Sequence, residues 1–359
     1  MGSIRKRGKT WHASWTDGQG RRHSKAVSTR KADAQAFLAT VEAAEVRARL
    51  GGYRMATFAD VADEYMNGVA RLVYKPATLA NYRSALARHL LPAFGDRVVG
   101  EITTRDVEDY AVGRMDAGAS AGTVTNEMMV LGVILRQSVK WGYATTVATR
   151  GALRPKAKQR EITALSPGEV ARLLDALDDR WRPLFATAAL TGLRAGELAA
   201  LTDVDVDLER HQLHVRRSMW KGRFQSPKTE KSIRDVDLAP TLERMLDEWL
   251  ASPLRPRTRE HFVFPSAKGR PLNMNTLKES VLYPALEEAG LPHMRMHDLR
   301  HTYASLLIAQ GESLKYVQEM LGHTSIKVTA DTYGHLLKET HQAAALRLDR
   351  AVFGGQEGQ

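Results

Sequence analysis

Four short segments carry side chains able to act on a phosphodiester. They are Thr191-Gly192-Leu193-Arg194-Ala195-Gly196-Glu197-Leu198, Ser226-Pro227-Lys228-Thr229, His297-Asp298-Leu299-Arg300-His301-Thr302-Tyr303-Ala304, and Leu321-Gly322-His323-Thr324-Ser325, with Tyr333 ten residues after His323. Attack of a hydroxyl on a phosphodiester loads charge onto the phosphoryl oxygens, so catalysis is mainly positioning plus electrostatic stabilisation. Guanidiniums suit that task because each presents paired N–H donors in a fixed fork, which a lysine point charge does not. A phenol has a pKa near ~10 and costs roughly 4 kcal/mol to ionise at neutral pH, so it wants a neighbouring base. Taken singly, an arginine before a helix reads as a surface residue and a tyrosine near the end of a chain as packing. The order and spacing of the set carry the information.

That order resembles the tyrosine recombinase (phage integrase) family: an Arg in T-G-L-R-x-G-E, a Lys on a β-hairpin, H-x-x-R, L-G-H, and a Tyr ten residues on. The resemblance matches Arg194 to the first arginine, Lys228 to the hairpin lysine, His297 and Arg300 to the H-x-x-R pair, His323 to the second histidine and Tyr333 to the nucleophile. Lys221 and Lys231 flank the hairpin and compete with Lys228. In the chemistry so implied, Arg194 and Arg300 clamp the non-bridging oxygens. His297 accepts the phenol proton, Lys228 protonates the leaving 5′-oxygen, and His323 donates to a phosphate oxygen. Glu197, three residues after Arg194, orients a guanidinium or imidazole, and His301 is a helper or packing residue. Attack by Tyr333 leaves a 3′-phosphotyrosine that keeps the bond energy, so rejoining needs neither ATP nor metal, and no cofactor is expected.

The elements that must position these residues fall into three regions. The 359-residue length predicts two or three domains, and 43% hydrophobic with 26% charged residues argues against wholesale disorder. Residues 1–31 hold nine Lys/Arg against one acid, Asp17, most of the whole chain's excess of +11. Trp11, Ala13 and Trp15 alternate with polar neighbours, and residues 17–20 supply a hairpin turn. With a first strand at Ser3–Arg7, strands to Val27 and a helix from Lys31 to Leu50, this start reads as a small basic sheet backed by a helix. Arg5, Lys6, Arg7, Lys9, Arg21, Arg22 and Lys25 are its candidate DNA contacts; the plain alternative is a solvated basic face. From Thr57 to Tyr143 apolar residues recur at helical spacing, predicting a bundle of about four helices. A basic linker follows, and Ser166-Pro167-Gly168-Glu169 opens the third region with a capping box.

The fold class expected is therefore multidomain and mainly α. The resemblance implies an arm-type DNA-binding domain at residues 1–52, a helical core-binding domain at 57–149, a linker at 150–162 and an α+β catalytic domain at 163–353, and 354–359 is expected to be a disordered tail. The resemblance implies a site-specific recombinase that integrates or excises a phage or other mobile element. It implies double-stranded attachment sites, a homotetramer on DNA, and a host DNA-bending protein and a directionality factor as further partners. An apolar stripe after Tyr333, from Leu336 to Val352, is long enough to dock in cis or on a neighbouring protomer.

Several classes are excluded or weighed against. The absence of Cys removes disulfide scaffolds, thiolate zinc sites and cysteine nucleophiles. No apolar run reaches the roughly 18 residues of a membrane span and the start lacks a signal-peptide core, so a cytoplasmic, DNA-facing protein is expected. His297 and His301 have the spacing of a zinc pair, but Asp298, Leu299 and Arg300 stand between them and a cation repels a metal ion. A non-catalytic DNA-binding regulator on the same scaffold conflicts with the complete set of polar positions. A type IB topoisomerase would not need the basic N-terminal module.

Overall fold

The computed structural model describes residues 2–16, 21–51, 55–156, 162–226, 232–336, 348–349 and 352–353. It divides into two compact units, Met1–Gln159 and Arg160–Gln359.

The first unit opens with an antiparallel meander of β1 (Ser3–Arg7), β2 (Thr10–Thr16) and β3 (Arg22–Ser28), β2 central. Successive side chains of a strand point to opposite faces. Ile4, Ala13 and Lys25 pair on one face, as do Lys6 with Trp11 and Trp15 with His23. Helix α1 (Lys31–Gly51) covers that face: Trp15 meets Phe37 edge-on at 5.7 Å between ring centroids, and Ala13 and Ala34 are buried. Ser28 accepts from the Arg30 N–H and donates to Asp33, starting the helix where the sequence predicts it. The hairpin turn expected at 17–20 lies outside the described residues.

The same unit holds the helical bundle. Helix α2 (Phe58–Asn67) starts at a capping box in which Thr57 and Asp60 satisfy each other's backbone N–H groups. After the short α3 (Val69–Val73), α4 (Pro76–Ala85) continues through a π-type turn at Leu86–Leu90 into α5 (Leu91–Phe94). Thr103 and Ser120 cap α6 (Thr104–Asp116) and α7 (Ala121–Lys140). Phe58, Tyr65, Leu86, Phe94, Val107, Met128 and Leu131 fill the core. Within it Glu127 is buried but satisfied, accepting from Tyr110 and from both ends of the Arg114 fork.

The second unit carries the candidate chemistry. Helices α8 (Pro167–Asp175), α9 (Arg182–Thr191) and α10 (Ala195–Leu198) lead into β4 (Val206–Asp207) and β5 (Gln212–Val215). Strands β6 (Ser218–Trp220) and β7 (Arg223–Gln225) form a hairpin, and β8 (Arg234–Asp237) returns to pair with β5 in the order β4-β5-β8. Then come α11 (Pro240–Ala251), α12 (Met274–Leu277), α13 (Tyr283–Glu288), α14 (Met296–Ala309), α15 (Leu314–Leu321) and α16 (Ile326–Tyr333). Its main core runs from Leu173, Phe185 and Ala189 through Leu213, Val236, Leu246 and Leu286 to Leu299. A smaller cluster of Tyr303, Ile308, Val317, Leu321 and Tyr333 ties α14, α15 and α16 together. Among the described residues no helix is long and apolar enough to cross a membrane.

Candidate active site

The site begins where α9 ends. Gly192 takes the left-handed conformation, φ 62°, and a Cβ there would lie 2.4 Å from the Tyr303 ring. Only glycine fits that close approach. The Gly192 carbonyl accepts from Arg300 Nη1 at 2.8 Å, and Arg300 also donates through Nη2 to the Leu321 carbonyl at the end of α15. Arg300 is 1% exposed. Burial, then the charge of Arg194, pushes its pKa down to about 9, which leaves it charged at neutral pH.

Arg194 stands at the N-terminus of α10, partly open to solvent. Its Nη1 donates to Glu197 Oε1 at 2.7 Å and its Nη2 to the Gly322 carbonyl at 3.2 Å. Glu197 also accepts the Arg194 backbone N–H at 2.9 Å, so the three-residue spacing does bring carboxylate and guanidinium together. Burial raises the Glu197 carboxyl, but the charges and hydrogen bonds of Arg234 and Arg194 hold it below its usual range.

Two imidazoles stay neutral beside these cations. His297 and His323 are each depressed to about 4, first by burial; the charges of His301 and Arg300 then act on His297, and those of Arg300, Arg194 and Arg234 on His323. His323 Nδ1 shares a hydrogen bond with Thr329 Oγ1 at 2.9 Å, which fixes the ring to α16. Ser325 accepts the Lys327 N–H and caps α16.

Tyr333 closes α16 at 1% exposure, and its hydroxyl lies 2.7 Å from His301 Nδ1. The sequence reading gave the phenol proton to His297; the structure puts His301 against the hydroxyl, with His297 edge-on behind it at 4.9 Å between ring centroids. The two histidines sit one helical turn apart on α14, and the docking of α16 decides which meets the phenol. Burial pushes the Tyr333 pKa up to about 12, against the opposing charge of Arg300.

Of the lysines, Lys221 is described. It sits exposed at the β6–β7 turn with φ 46°, beside Gly222 at φ 73°, and its ammonium lies 5.1 Å from the centre of the Trp220 ring. Lys228 and Lys231 lie outside the described residues. Sequence reasoning missed Arg234, a buried guanidinium that donates to both Glu197 oxygens. The signal was an arginine in the inward phase of β8, alternating with Val236. Among the described residues no three His, Cys, Asp or Glu side chains come together as a metal site.

In the N-terminal sheet the candidate contacts divide. Arg5 pairs with His12, Arg7 with Thr10 and Arg22 with Thr16, on the face away from α1. Lys6 belongs to the helix-covered face by its pairing with Trp11, and Lys9 is exposed in the β1–β2 turn. Lys25 does not join the open face: it pairs with Asp96 at 2.6 Å and lies 5.2 Å from the centre of the Phe37 ring. Arg21 is exposed just before β3.

Residues 163–340 match the Phage integrase family, and residues 57–112 match the phage integrase N-terminal SAM-like domain. The chain is 28% identical to the ICEBs1 integrase of Bacillus subtilis over 289 residues, 77% of this chain and 78% of that protein. Its fold is like that of the Tn1549 transposon integrase in complex with circular intermediate DNA, at a TM-score of 0.71 and 18% identity, covering 81% of this chain and 99% of that one. It is also like that of a lambda integrase tetramer bound to a Holliday junction, at a TM-score of 0.61 and 20% identity, covering 90% and 95%. The two family matches together span well over half of the sequence. The chain belongs to the phage integrase family and is a tyrosine recombinase.

Proposed function

We propose that this chain is an integrase that cuts and rejoins double-stranded DNA at the attachment sites of a phage or other mobile element, through a 3′-phosphate ester on Tyr333. In this reading Arg194 and Arg300 clamp the scissile phosphate. The Tyr333 oxygen attacks phosphorus as its proton passes to His301, and the 5′-oxygen leaves with a proton from Lys228. His323, with Nδ1 accepting from Thr329, has its Nε2–H to donate to a phosphate oxygen, and neutral His297 is a second imidazole at the same phosphate. Residues 1–52 bind arm-type sites through Arg5, Arg7 and Arg22, residues 57–149 bind the core site, and residues 163–353 do the chemistry.

One observation carries the reading: the Tyr333 hydroxyl rests on His301, on the same helix as Arg300 and within reach of that guanidinium's charge. Exchange between two duplexes calls for four active sites, so a homotetramer on DNA is part of the proposal, as are a host DNA-bending protein, a directionality factor and a cytoplasmic location. The test is a nicked suicide substrate. The unaltered protein should trap DNA joined through a 3′-phosphate to a peptide containing Tyr333, in chelator and without added metal. Tyr333→Phe should fold and bind DNA but give no adduct; an adduct that persists in that variant overturns the reading.

A further inference from the structure

Helix α15 ends in three consecutive carbonyls, and a different arginine donates to each. Met320 O accepts from Arg234 Nε at 2.6 Å, Leu321 O from Arg300 Nη2, and Gly322 O from Arg194 Nη2 at 3.2 Å. Carbonyls of a last helical turn have no intrahelical donor and carry the negative end of the helix dipole, so they gather cations. The carboxylate bonded inside this cluster is Glu197, and its oxygens are fully used. Oε1 takes Arg194 Nη1 and Arg234 Nη1, while Oε2 takes the Arg194 backbone N–H and Arg234 Nη2. Three guanidiniums against one carboxylate leave an excess of positive charge, which suits a site that receives a phosphodiester anion.

The three arginines are not equivalent. Arg234 is 8% exposed and spends its fork on Glu197, Met320 O and Ser232 O. Arg194 keeps about a third of its side chain open. We infer that Arg234 is a positioning residue of the phosphate clamp: it braces Glu197 and the last turn of α15, so that Arg194 keeps its orientation and Arg300 its carbonyl partners. The inference rests on the clamp roles given above to Arg194 and Arg300.

The physical reason lies in Glu197. A buried carboxylate stays ionised when paired charges outweigh its desolvation. The charged groups facing it are Arg194 from its own turn, Arg234 from β8 and Arg300 from α14. The strand packed against this turn, β6, brings Ser218, Met219 and Trp220, and the buried face of α9 is likewise without ionisable groups. Removing Arg234 therefore leaves Glu197 with Arg194 as its one hydrogen-bonded cation. Its pKa rises, and once protonated it can no longer hold that guanidinium and the backbone N–H together.

The test measures cleavage of a suicide substrate from pH 5 to 9 in the full chain, with binding to core-site duplex as the check on folding. Arg234→Met should cut roughly a hundredfold slower near pH 6 and recover several-fold towards pH 8, with affinity for the duplex within about threefold. Arg234→Met combined with Glu197→Gln should be slow at every pH, the added dependence gone. Arg234→Lys keeps the charge and loses the fork, so it should cut about tenfold slower with the unaltered pH profile. A rate and profile like those of the unaltered protein in Arg234→Met, or an equal slowing at all pH, overturns the inference. Should Arg234→Met fail to bind duplex, Arg234→Lys decides: normal cleavage in it overturns the inference. Failure of the unaltered protein to form an adduct would instead overturn the clamp reading beneath it.

Discussion

In the proposed mechanism the phenol of Tyr333 starts in the wrong ionisation state for attack. Burial holds its proton with a pKa of about 12, so a free phenolate is rare at neutral pH and the proton must leave as the bond to phosphorus forms. His301 is in place to take it. Burial, and then the charges of Arg295 and Arg300, depress its pKa despite the opposing charge of Asp298. A depressed histidine pKa means the ring is neutral, and able to accept, at any pH above its lowered value. Cleavage should therefore fall only on an acid limb whose midpoint lies below 6.5, and stay level from there towards pH 8. His301→Gln should lower single-turnover cleavage about a hundredfold and abolish that limb, with duplex affinity kept. A normal rate in His301→Gln, with the loss appearing in His297→Gln, would return the base to His297.

At the scale of elements, what the sequence shows and what it hides separate cleanly. Local rules were legible: Ser166 heads the capping box its segment spells out, alternating tryptophans make β2, and the segments around Arg194, Arg300 and His323 fall where helices begin or end. Arg194, Glu197, Arg300, His323 and Tyr333 come together because α9, α15 and α16 end against the first turns of α14. The partner choices of His301 and of Arg234 were hidden, because both depend on contacts between elements distant in sequence, 32 residues for His301 to Tyr333 and 37 for Arg234 to Glu197. The π-type turns at Leu86–Leu90 and Lys278–Leu282 were hidden too, since their apolar spacing is that of an ordinary helix. The α9 terminus gives the clearest test at this scale. Gly192→Ala forces a Cβ into a left-handed residue and against the Tyr303 ring, while the Gly192 carbonyl is a seat for Arg300. It should cost about 1–3 kcal/mol in denaturant unfolding, and lower cleavage more than duplex affinity. Unchanged stability would mean that α9 and α14 can separate without loss.

Over the whole molecule, charge is distributed by task. The cluster around Glu197 holds three guanidiniums, whereas much of the excess of the first 31 residues lies on a three-stranded sheet. Register divides that sheet: Arg5, Arg7 and Arg22 stand on the face that α1 leaves open, among the small or polar Ser14, Ser24 and Ala26, while Lys25 is tied to Asp96 on the other. A strand face of this kind can lie in a DNA groove with its cations on phosphates. Each phosphate neutralised releases counterions, at about 0.9 in the slope of log K against log salt. The triple variant Arg5→Ala/Arg7→Ala/Arg22→Ala should therefore flatten that slope on arm-site DNA by about 3, close to the effect of deleting residues 1–52. Cleavage of an isolated core site should persist in both. Lys25→Ala should leave the slope almost unchanged, because its ammonium is already paired within the protein. A slope that responds to Lys25 and not to the three arginines would put the DNA on the opposite face of the sheet, and an unchanged slope in all variants would make the basic start a solvated surface.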